Sequence, residues 1–174
     1  MPDSEVRLRP AGAADAPELY RLSAPCMPDA LVERPPEFYD RHAGEFLVCD
    51  VAGAIAGCLG VQRLGGLAEL YNVCVGTPWR GRGIGALLTA SAVLLLHLDG
   101  VPEAVLFSRT TATWFTWLGF TAADESILPA ARRDLVDPCR GSLLLSRPTR
   151  PDNLLIAALD QDGSRSRQAV HCSR

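Results

Sequence analysis

Several short runs along the chain, in which apolar and polar residues alternate or β-branched and apolar residues are dense, predict β-strands. The predicted strands are 5–9, 46–51, 54–61, 67–75, 104–107, an extended piece from 120, and 142–146. Ala52-Gly53 separates the second strand from the third and predicts a hairpin turn. Gly65-Gly66 predicts a further turn before the fourth strand.

Apolar residues that repeat at helical spacing predict helices between these strands. The predicted helices are 15–22, 83–98, 111–118 and 128–135, with one or two helical turns at 153–159. Residues 24–42 contain prolines that break the segment into short helical or irregular pieces. A hairpin region followed by two strand–helix units predicts a mixed α/β sheet with helices on both faces.

The composition is that of one ordinary folded domain. The chain has 174 residues, of which 48% are hydrophobic and 21% charged, so it can bury a sizeable core and disorder is excluded. From Arg147 onward the chain becomes rich in proline, serine and arginine. We therefore predict a single domain over 1–147 and a polar C-terminal tail over 148–174, either a short helix or disordered.

Charge and hydropathy narrow the class of protein further. The longest apolar stretch, Ile84 to Leu98, is shorter than the ~20 residues of a membrane span. Charged residues among the first nine argue against a secretory signal. The net charge of −3 gives no general attraction to nucleic acid or anionic lipid. We expect a cytoplasmic protein that binds neither nucleic acid nor a membrane.

Six cysteines are scattered along the chain without a CxxC pair or a Cys/His cluster. Four of them, Cys26, Cys49, Cys58 and Cys74, have apolar or strand-like neighbours. This pattern favours reduced, small core residues of a cytosolic protein over the alternatives, a zinc site or a disulfide framework.

The sharpest feature is a glycine-rich turn between the fourth strand and the longest helix, Val75-Gly-Thr-Pro-Trp-Arg-Gly-Arg-Gly-Ile-Gly85. The first turn of a helix offers unpaired N–H groups and partial positive charge, which suit a phosphate. Glycines leave the amides accessible, and Arg80 and Arg82 add planar cationic donors. The spacing is neither that of a Walker loop nor that of the dinucleotide fingerprint. The alternative is a helix start in which glycine only makes the turn.

Two motifs resemble those of the GNAT superfamily of N-acetyltransferases. Arg80-Gly-Arg-Gly-Ile-Gly85 is similar to its Arg/Gln-x-x-Gly-x-Gly/Ala signature, and Phe115-Thr-Trp-Leu-Gly-Phe120 to its aromatic-x-x-x-Gly-Phe marker. The order of elements also matches from residue 5 to about residue 147. The resemblance implies a GNAT-like α/β (α+β) fold. Its central sheet is mixed and mostly antiparallel, with about six or seven strands and helices on both faces.

The resemblance further implies acetyl-CoA as co-substrate, with no metal. In the family, one strand splays from its neighbour and its backbone binds the pantetheine arm, while the helix start binds the pyrophosphate. The cofactor-binding residues that this implies here are Val73, Val75, Arg80, Gly81, Arg82, Gly83, Ile84 and Gly85. Family members often form dimers, so a homodimer is one expected assembly.

Glu69 is the candidate general base. It is the only carboxylate of its strand, and two-residue alternation predicts that it shares a face with Tyr71 and Val73. Amine attack on a thioester needs a neutral amine, and an α-amino group has a pKa of ~7.7–8.0. Glu69 also matches the position of the catalytic glutamate in some family members. The alternative is a solvated or salt-bridged glutamate at the strand edge.

The usual general acid of the family is absent from the sequence. Many members carry a tyrosine where this chain has Phe115. Protonation of the leaving thiolate, whose pKa is ~8.5, is a mild requirement. Water, Thr110, Thr111 and Tyr71 remain open as proton donors.

The stretch from Leu106 to Arg147 is similar to the acetyltransferase domain of N-acetylglutamate synthases. In that family an Arg-x-Ser element holds the α-carboxylate of the substrate, and the matching residues here are Arg140 and Ser142. The family's arginine and histidine before its Trp-Phe pair are replaced by Thr110 and Thr113. We predict N-acetyl transfer to the primary amine of a small molecule, with amino acids as one candidate class. The alternatives are a protein (N-terminal or lysine) acetyltransferase and a non-catalytic acyl-CoA-binding regulatory module.

Overall fold

The computed structural model describes residues 6–27 and 29–160, and within them the chain forms a seven-stranded sheet with helices on both faces. The strands are β1 Val6–Pro10, β2 Phe46–Val51, β3 Ala54–Arg63, β4 Leu67–Val75, β5 Glu103–Ser108, β6 Thr121–Ala122 and β7 Leu143–Pro148. The α-helices are α1 Ala16–Ser23, α2 Pro36–His42, α3 Ile84–Leu98, α4 Ala112–Thr116, α5 Ala130–Arg133 and α6 Asn153–Leu159. Short 3₁₀ turns lie at Ala13–Asp15, Ala24–Cys26, Ala43–Glu45, Thr77–Trp79, Glu125–Ile127 and Pro138–Arg140.

The strand order is β1-β2-β3-β4-β5-β7-β6. Every neighbouring pair is antiparallel except β4 and β5, which are parallel and are connected through α3. The mixed, mostly antiparallel sheet expected from the sequence is therefore confirmed. The candidate active site lies at the parallel pair β4–β5.

The two faces of the sheet carry separate hydrophobic clusters. On one face α3 lies along the sheet, and its residues Leu88 and Val93 are fully buried. A helix as apolar as α3 must be covered on several sides, and α6 packs against it with Leu155 and Ala158 buried. On the other face α1 and α2 cover the sheet through residues such as Leu19.

Helix α6 is held by a buried arginine. Arg147 is only 2% exposed, and its guanidinium donates to the Leu118 carbonyl and, at 2.9 Å, to Asp152. The Asp152 carboxylate also accepts from the Leu155 N–H at 2.9 Å and so caps α6. The helix predicted at 153–159 is confirmed. Residues 161–174 of the predicted tail lie outside the described residues.

The helix predicted at 128–135 is wrong at both ends, because the structure forms only Ala130–Arg133. Pro129 is extended and starts the turn, since proline has no N–H for a preceding helical bond. Leu128 is buried in a small cluster with Leu67 and Val105, whereas Leu135 is 77% exposed. Only one end of the segment therefore finds an apolar surface.

The described part of the chain contains no helix with both the length and the apolarity needed to cross a bilayer.

Candidate active site

The parallel pair β4–β5 separates a third of the way along β4. Pairing between them covers only Leu67, Ala68 and Glu69, opposite 103–105. From that point to Val75, β4 keeps its pairing with β3 alone. A wedge-shaped gap therefore opens between two neighbouring strands.

The free edge of β4 faces this gap with backbone groups that pair with no neighbouring strand. The N–H of Gly76 donates to Ala56 on the β3 side at 2.9 Å. Because backbone groups of a strand alternate between its two edges, those of Val75 and Val73 face the gap. The Val75 carbonyl accepts there from Arg80 Nε at 3.1 Å. The structure thus places Val73 and Val75 on the edge where an extended arm could pair with the backbone.

A bulge at Asn72 changes the faces of β4. Asn72 has φ +54°, and the register with β3 shifts between Cys58 and Gly60. Its amide donates to Ser23 Oγ at 2.6 Å, so Asn72 and Tyr71 both point toward the α1–α2 face. Val73 packs with the α3 cluster on the opposite face. The expectation that Glu69, Tyr71 and Val73 share one face is therefore wrong for Val73.

The glycine-rich turn becomes a helix start with accessible amides. Gly81 and Gly83 have φ of +74° and +80°, a region that side chains with a Cβ rarely adopt. The first backbone bond of α3 runs from Leu87 N–H to Gly83 O at 2.9 Å. No described side chain caps this helix, so the amides of 84–86 stay free for an anion. The side chain of Ile84 is buried, which leaves its backbone for contact.

The arginines and an aromatic ring line this turn. Arg82 lies over the ring of Trp79, with its guanidinium carbon 5.2 Å from the centroid, and Arg80 bends back to Val75. A Cβ on Gly85 would lie 3.4 Å from the Trp114 ring, so glycine permits the close approach of α4. The residues predicted to form the phosphate site, 80–85, are brought together around one helix end.

A second space lies beside the point where β4 and β5 separate. It is a cavity of about 240 Å³. Its polar and aromatic lining comprises Arg34, Glu69, Tyr71, Asn72, Phe107, Arg132, Asp137, Arg140 and Ser142. The structure therefore brings all three predicted acceptor-side residues, Glu69, Arg140 and Ser142, to one cavity.

Glu69 is 6% exposed and forms a two-pronged ion pair with Arg132. Arg132 Nε and Nη2 donate to its two carboxylate oxygens at 2.6 and 2.8 Å. The Glu69 carboxylate raises the pKa of Arg132, and the guanidinium also lies over the Phe107 ring at 4.9 Å. The sequence suggested a salt bridge as an alternative for Glu69 but did not identify Arg132. The adjacent arginines Arg132 and Arg133, which follow Leu128-Pro129, were the sequence feature that could have indicated a partner for Glu69.

Tyr71, which also lines the cavity, is hydrogen-bonded to Glu45. Its hydroxyl donates to Glu45 at 2.7 Å, and the other Glu45 oxygen lies 2.8 Å from His42 Nδ1. Burial, and then the Glu45 carboxylate, raise the pKa of Tyr71. Arg34, which the sequence did not single out, lies over the Tyr71 ring at 4.6 Å and over Phe38 at 4.3 Å.

Phe115 is a core residue of the structure. It is 5% exposed and packs against Phe120 and Trp114. Hydroxyls do occur at the end of β5 and just past it, where Ser108 Oγ and Thr111 Oγ1 lie 3.0 Å apart. Ser108 was not predicted, because a serine at a strand end carries no distinct sequence signal.

Arg140 and Ser142 flank a tight turn before β7. The Asp137 carboxylate accepts from the Cys139 N–H at 2.9 Å and shapes the turn. Both Arg140 and Ser142 are half-buried and line the cavity. Among the described residues, neither Arg140 nor Arg34 forms a salt bridge. Within the described residues, the cavity thus holds two guanidinium groups that form no salt bridge with a carboxylate.

Comparison with known proteins agrees with this geometry. Residues 16–113 match the model of the acetyltransferase (GNAT) family. An uncharacterized N-acetyltransferase of Chlorobaculum tepidum is 27% identical over 131 residues, 74% of this chain and 84% of that protein. An amino-acid acetyltransferase of Neisseria meningitidis is 27% identical over 131 residues, 74% of this chain but only 30% of its own length.

A solved structure is also similar to this chain. N-acetylglutamate synthase from Neisseria gonorrhoeae, complexed with coenzyme A and N-acetyl-glutamate, has a TM-score of 0.79 and 26% identity. The match covers 85% of this chain and 36% of the synthase, so this chain spans about a third of the amino-acid acetyltransferase relatives. The fold and the family match indicate an acyltransferase. The chain belongs to the GNAT acetyltransferase family.

Proposed function

We propose that the protein transfers the acetyl group of acetyl-CoA to the amine of a small molecule that carries a carboxylate, an amino acid in the simplest case. The observation that carries this proposal is the cavity beside the β4–β5 gap. It combines a carboxylate, Glu69, with two guanidinium groups, Arg34 and Arg140, that have no described salt-bridge partner. The relatives named as amino-acid acetyltransferases and the synthase complexed with N-acetyl-glutamate support the same substrate class.

The residues around the gap fit coenzyme A. The free edge of β4 at Val73 and Val75 can pair with the amides of a pantetheine arm. The uncapped start of α3, with Arg80 and Arg82 beside it, suits a pyrophosphate. Bound there, acetyl-CoA would supply a thioester carbon as the electrophile.

Arg140 and Ser142 are proposed to hold the carboxylate of the acceptor. A guanidinium offers two parallel donors that match a carboxylate, and a hydroxyl adds a third. Arg34, fixed over two aromatic rings, faces the same cavity and adds positive charge. Together these groups orient the amine toward Glu69 and the gap.

Glu69 is proposed to take a proton from the acceptor ammonium, directly or through water. Its two bonds to Arg132 fix the carboxylate plane, and each oxygen keeps a further lone pair for the amine. At pH 7 an α-amino group is mostly protonated, so removal of that proton has to precede attack.

The leaving thiolate needs a proton, and the chain offers hydroxyls near the end of β5. Ser108 and Thr111 form a hydrogen-bonded pair there, whereas the Tyr71 hydroxyl donates to Glu45. We propose water or the Ser108–Thr111 pair as the donor. From the composition we also infer a protein that works in the cytoplasm and binds neither nucleic acid nor a membrane. From the family resemblance we infer that it needs no metal and forms a homodimer, as family members often do.

The test is an assay of thiol release from acetyl-CoA with amino acids, polyamines, aminoglycosides and short peptides as acceptors. Turnover with amino acids, and none with acceptors that lack a carboxylate, is the expected result. Calorimetry with acetyl-CoA runs in parallel. Binding without any turnover would favour a regulatory module, and turnover with peptides alone would favour a protein acetyltransferase.

A further inference from the structure

Two cysteine sulfurs lie in contact next to the glycine-rich turn 75–85, named the phosphate turn from here on. Cys26, in the 3₁₀ turn after α1, and Cys74, in the last part of β4, have their sulfurs 3.5 Å apart. They are 48 residues apart in sequence. Cys74 is 4% exposed and also contacts the Leu22 carbonyl at 3.4 Å. Cys26 is half-buried. The proposed reaction mechanism uses neither thiol.

The pair is linked to the phosphate turn through Arg80. The Arg80 guanidinium donates to the Cys26 sulfur at 3.9 Å with one nitrogen and to the Val75 carbonyl at 3.1 Å with another. Cys74 is thus next to Val75 in the chain, and Cys26 contacts Arg80, the first residue of the predicted phosphate site. A change at either sulfur reaches the proposed cofactor site directly.

We propose that Cys26 and Cys74 form a disulfide-forming site that reacts with low-molecular-weight disulfides and, once oxidised, weakens acetyl-CoA binding through Arg80. A disulfide bond needs a sulfur separation of about 2.05 Å. The two sulfurs must approach by roughly 1.5 Å from their present contact. Cys26 lies in a short, half-exposed turn, so this turn supplies the movement.

The reaction proceeds by two thiol–disulfide exchanges. The Cys26 thiolate attacks one sulfur of glutathione disulfide, that S–S bond breaks, and one glutathione leaves and takes up the proton from Cys26. Cys74 then attacks the Cys26 sulfur, and the second glutathione leaves with the proton from Cys74. Two protein thiols are oxidised to one disulfide, and one glutathione disulfide is reduced to two thiols.

The order of attack follows from burial. Cys26 is accessible to an external disulfide, whereas Cys74 is enclosed, and burial raises the pKa of its thiol. Cys58 is also buried and lies opposite Cys74 on β3, but its sulfur contacts the backbone and side chain of Asn72 at 3.9 and 4.0 Å. Cys58 therefore serves as a matched buried control, and the exposed Cys139 as a control for surface modification.

The experiment treats reduced, full-length protein with glutathione disulfide, blocks the remaining thiols and maps all six cysteines by mass spectrometry. The wild-type protein and Cys58→Ala are expected to give a linked Cys26–Cys74 peptide. Cys74→Ser is expected to retain glutathione on Cys26, because the second exchange is missing. Cys26→Ser is expected to leave Cys74 as a free thiol while Cys139 still reacts.

The disulfide site is overturned if the wild-type protein carries glutathione on Cys26 without a linked peptide. It is also overturned if Cys74 in the Cys26→Ser variant reacts as fast as Cys139. Both results are independent of the proposed enzymatic activity.

The effect on the cofactor rests on the proposed function. Calorimetry with acetyl-CoA, which has no free thiol to reduce the disulfide, is expected to give a Kd at least about threefold weaker for the oxidised protein. In Cys26→Ser the oxidant is expected to leave the Kd unchanged. An equal Kd for oxidised and reduced wild-type protein would refute the coupling to Arg80. Absence of acetyl-CoA binding in both forms would refute the proposed function, and the peptide map would still decide the disulfide.

Discussion

The phosphate turn and the acceptor cavity both adjoin β4, yet they are built in different ways. The turn is one stretch, 75–85, and it offers backbone amides whose positions follow from local geometry. The cavity collects side chains scattered between Arg34 and Ser142, each positioned by a different element. A site for a common cofactor can be built from backbone groups. A site that selects one kind of acceptor needs side chains from distant segments.

The largest effect is expected from Glu69→Gln, which should impair catalysis at the cavity without affecting cofactor binding at the phosphate turn. The amide keeps the shape but cannot take a proton, so kcat is expected to fall by about 10²–10⁴. The Kd for acetyl-CoA should stay within about twofold, because Glu69 lies before the free edge of β4. Stopped-assay kinetics and calorimetry measure the two quantities. Glu103→Gln, at the start of β5, is the matched control and should keep full activity.

Arg140→Ala tests the cavity alone. Loss of hydrogen bonds to a charged group costs about 1.5–3 kcal/mol, so KM for the amino acid should rise by about 10–100-fold. The KM for acetyl-CoA should be unchanged. Arg133→Ala removes an exposed arginine outside the cavity and serves as control. An unchanged KM for every accepted amino acid would show that Arg140 does not hold the carboxylate.

Gly83→Ala tests the phosphate turn alone. At φ +80° an added Cβ costs roughly 1–2 kcal/mol, and relaxation of the turn would displace the amides of α3. The Kd for acetyl-CoA is expected to weaken by about tenfold, with KM for the amino acid unaffected. Calorimetry measures the Kd for acetyl-CoA, and an unchanged Kd would contradict a role of the turn in binding. Gly44→Ala, where the backbone is not strained and no atom lies within 4 Å of the new Cβ, is the control and should bind normally.

The smallest effect concerns the scaffold that both regions share. Asp15 accepts two bonds from Arg9, and this guanidinium lowers the pKa of the carboxyl below its usual value. A lowered folded-state pKa stabilises the protein above the unfolded pKa of ~3.9, and the stabilisation is lost as pH falls through the folded pKa.

Asp15→Asn should therefore reduce stability at pH 7 by about 1 kcal/mol, or a few degrees in Tm, with the difference shrinking below about pH 4. Thermal unfolding across pH measures this. Binding of acetyl-CoA and amino acid at pH 7 should not change. A difference between variant and wild type that stays constant down to pH 2 would contradict the assignment.

The same contrast explains what the sequence could predict. Strands 46–51 and 67–75 and the helix from 84 were found almost to the residue, because alternation and the Gly-rich turn are local signals. The fold and the phosphate turn followed from them. The residues Arg140 and Ser142 were found through family motifs, and the structure brings them to the cavity.

Contacts between distant segments could not be predicted. Arg132 meets Glu69 across 63 positions of sequence, and neither residue indicates the other locally. Arg34 reaches the cavity from a segment whose prolines obscure any periodicity. The face of Val73 was misassigned for another reason. Strict alternation assumes a regular strand, and a bulge leaves no clear trace in composition.

That bulge at Asn72 is one residue more than the hydrophobic pattern of β4 requires. Without it, Tyr71, Val73, Cys74 and Val75 would still alternate between the two faces that they now occupy. A chain shortened there would keep the alternation of these side chains, but it would leave the buried Ser23 and Tyr39 hydroxyls without the Asn72 side chain. It would lose the bend that takes β4 away from β5. Deletion of this single residue is therefore expected to narrow the gap for the cofactor while the apolar faces of the strand stay in place.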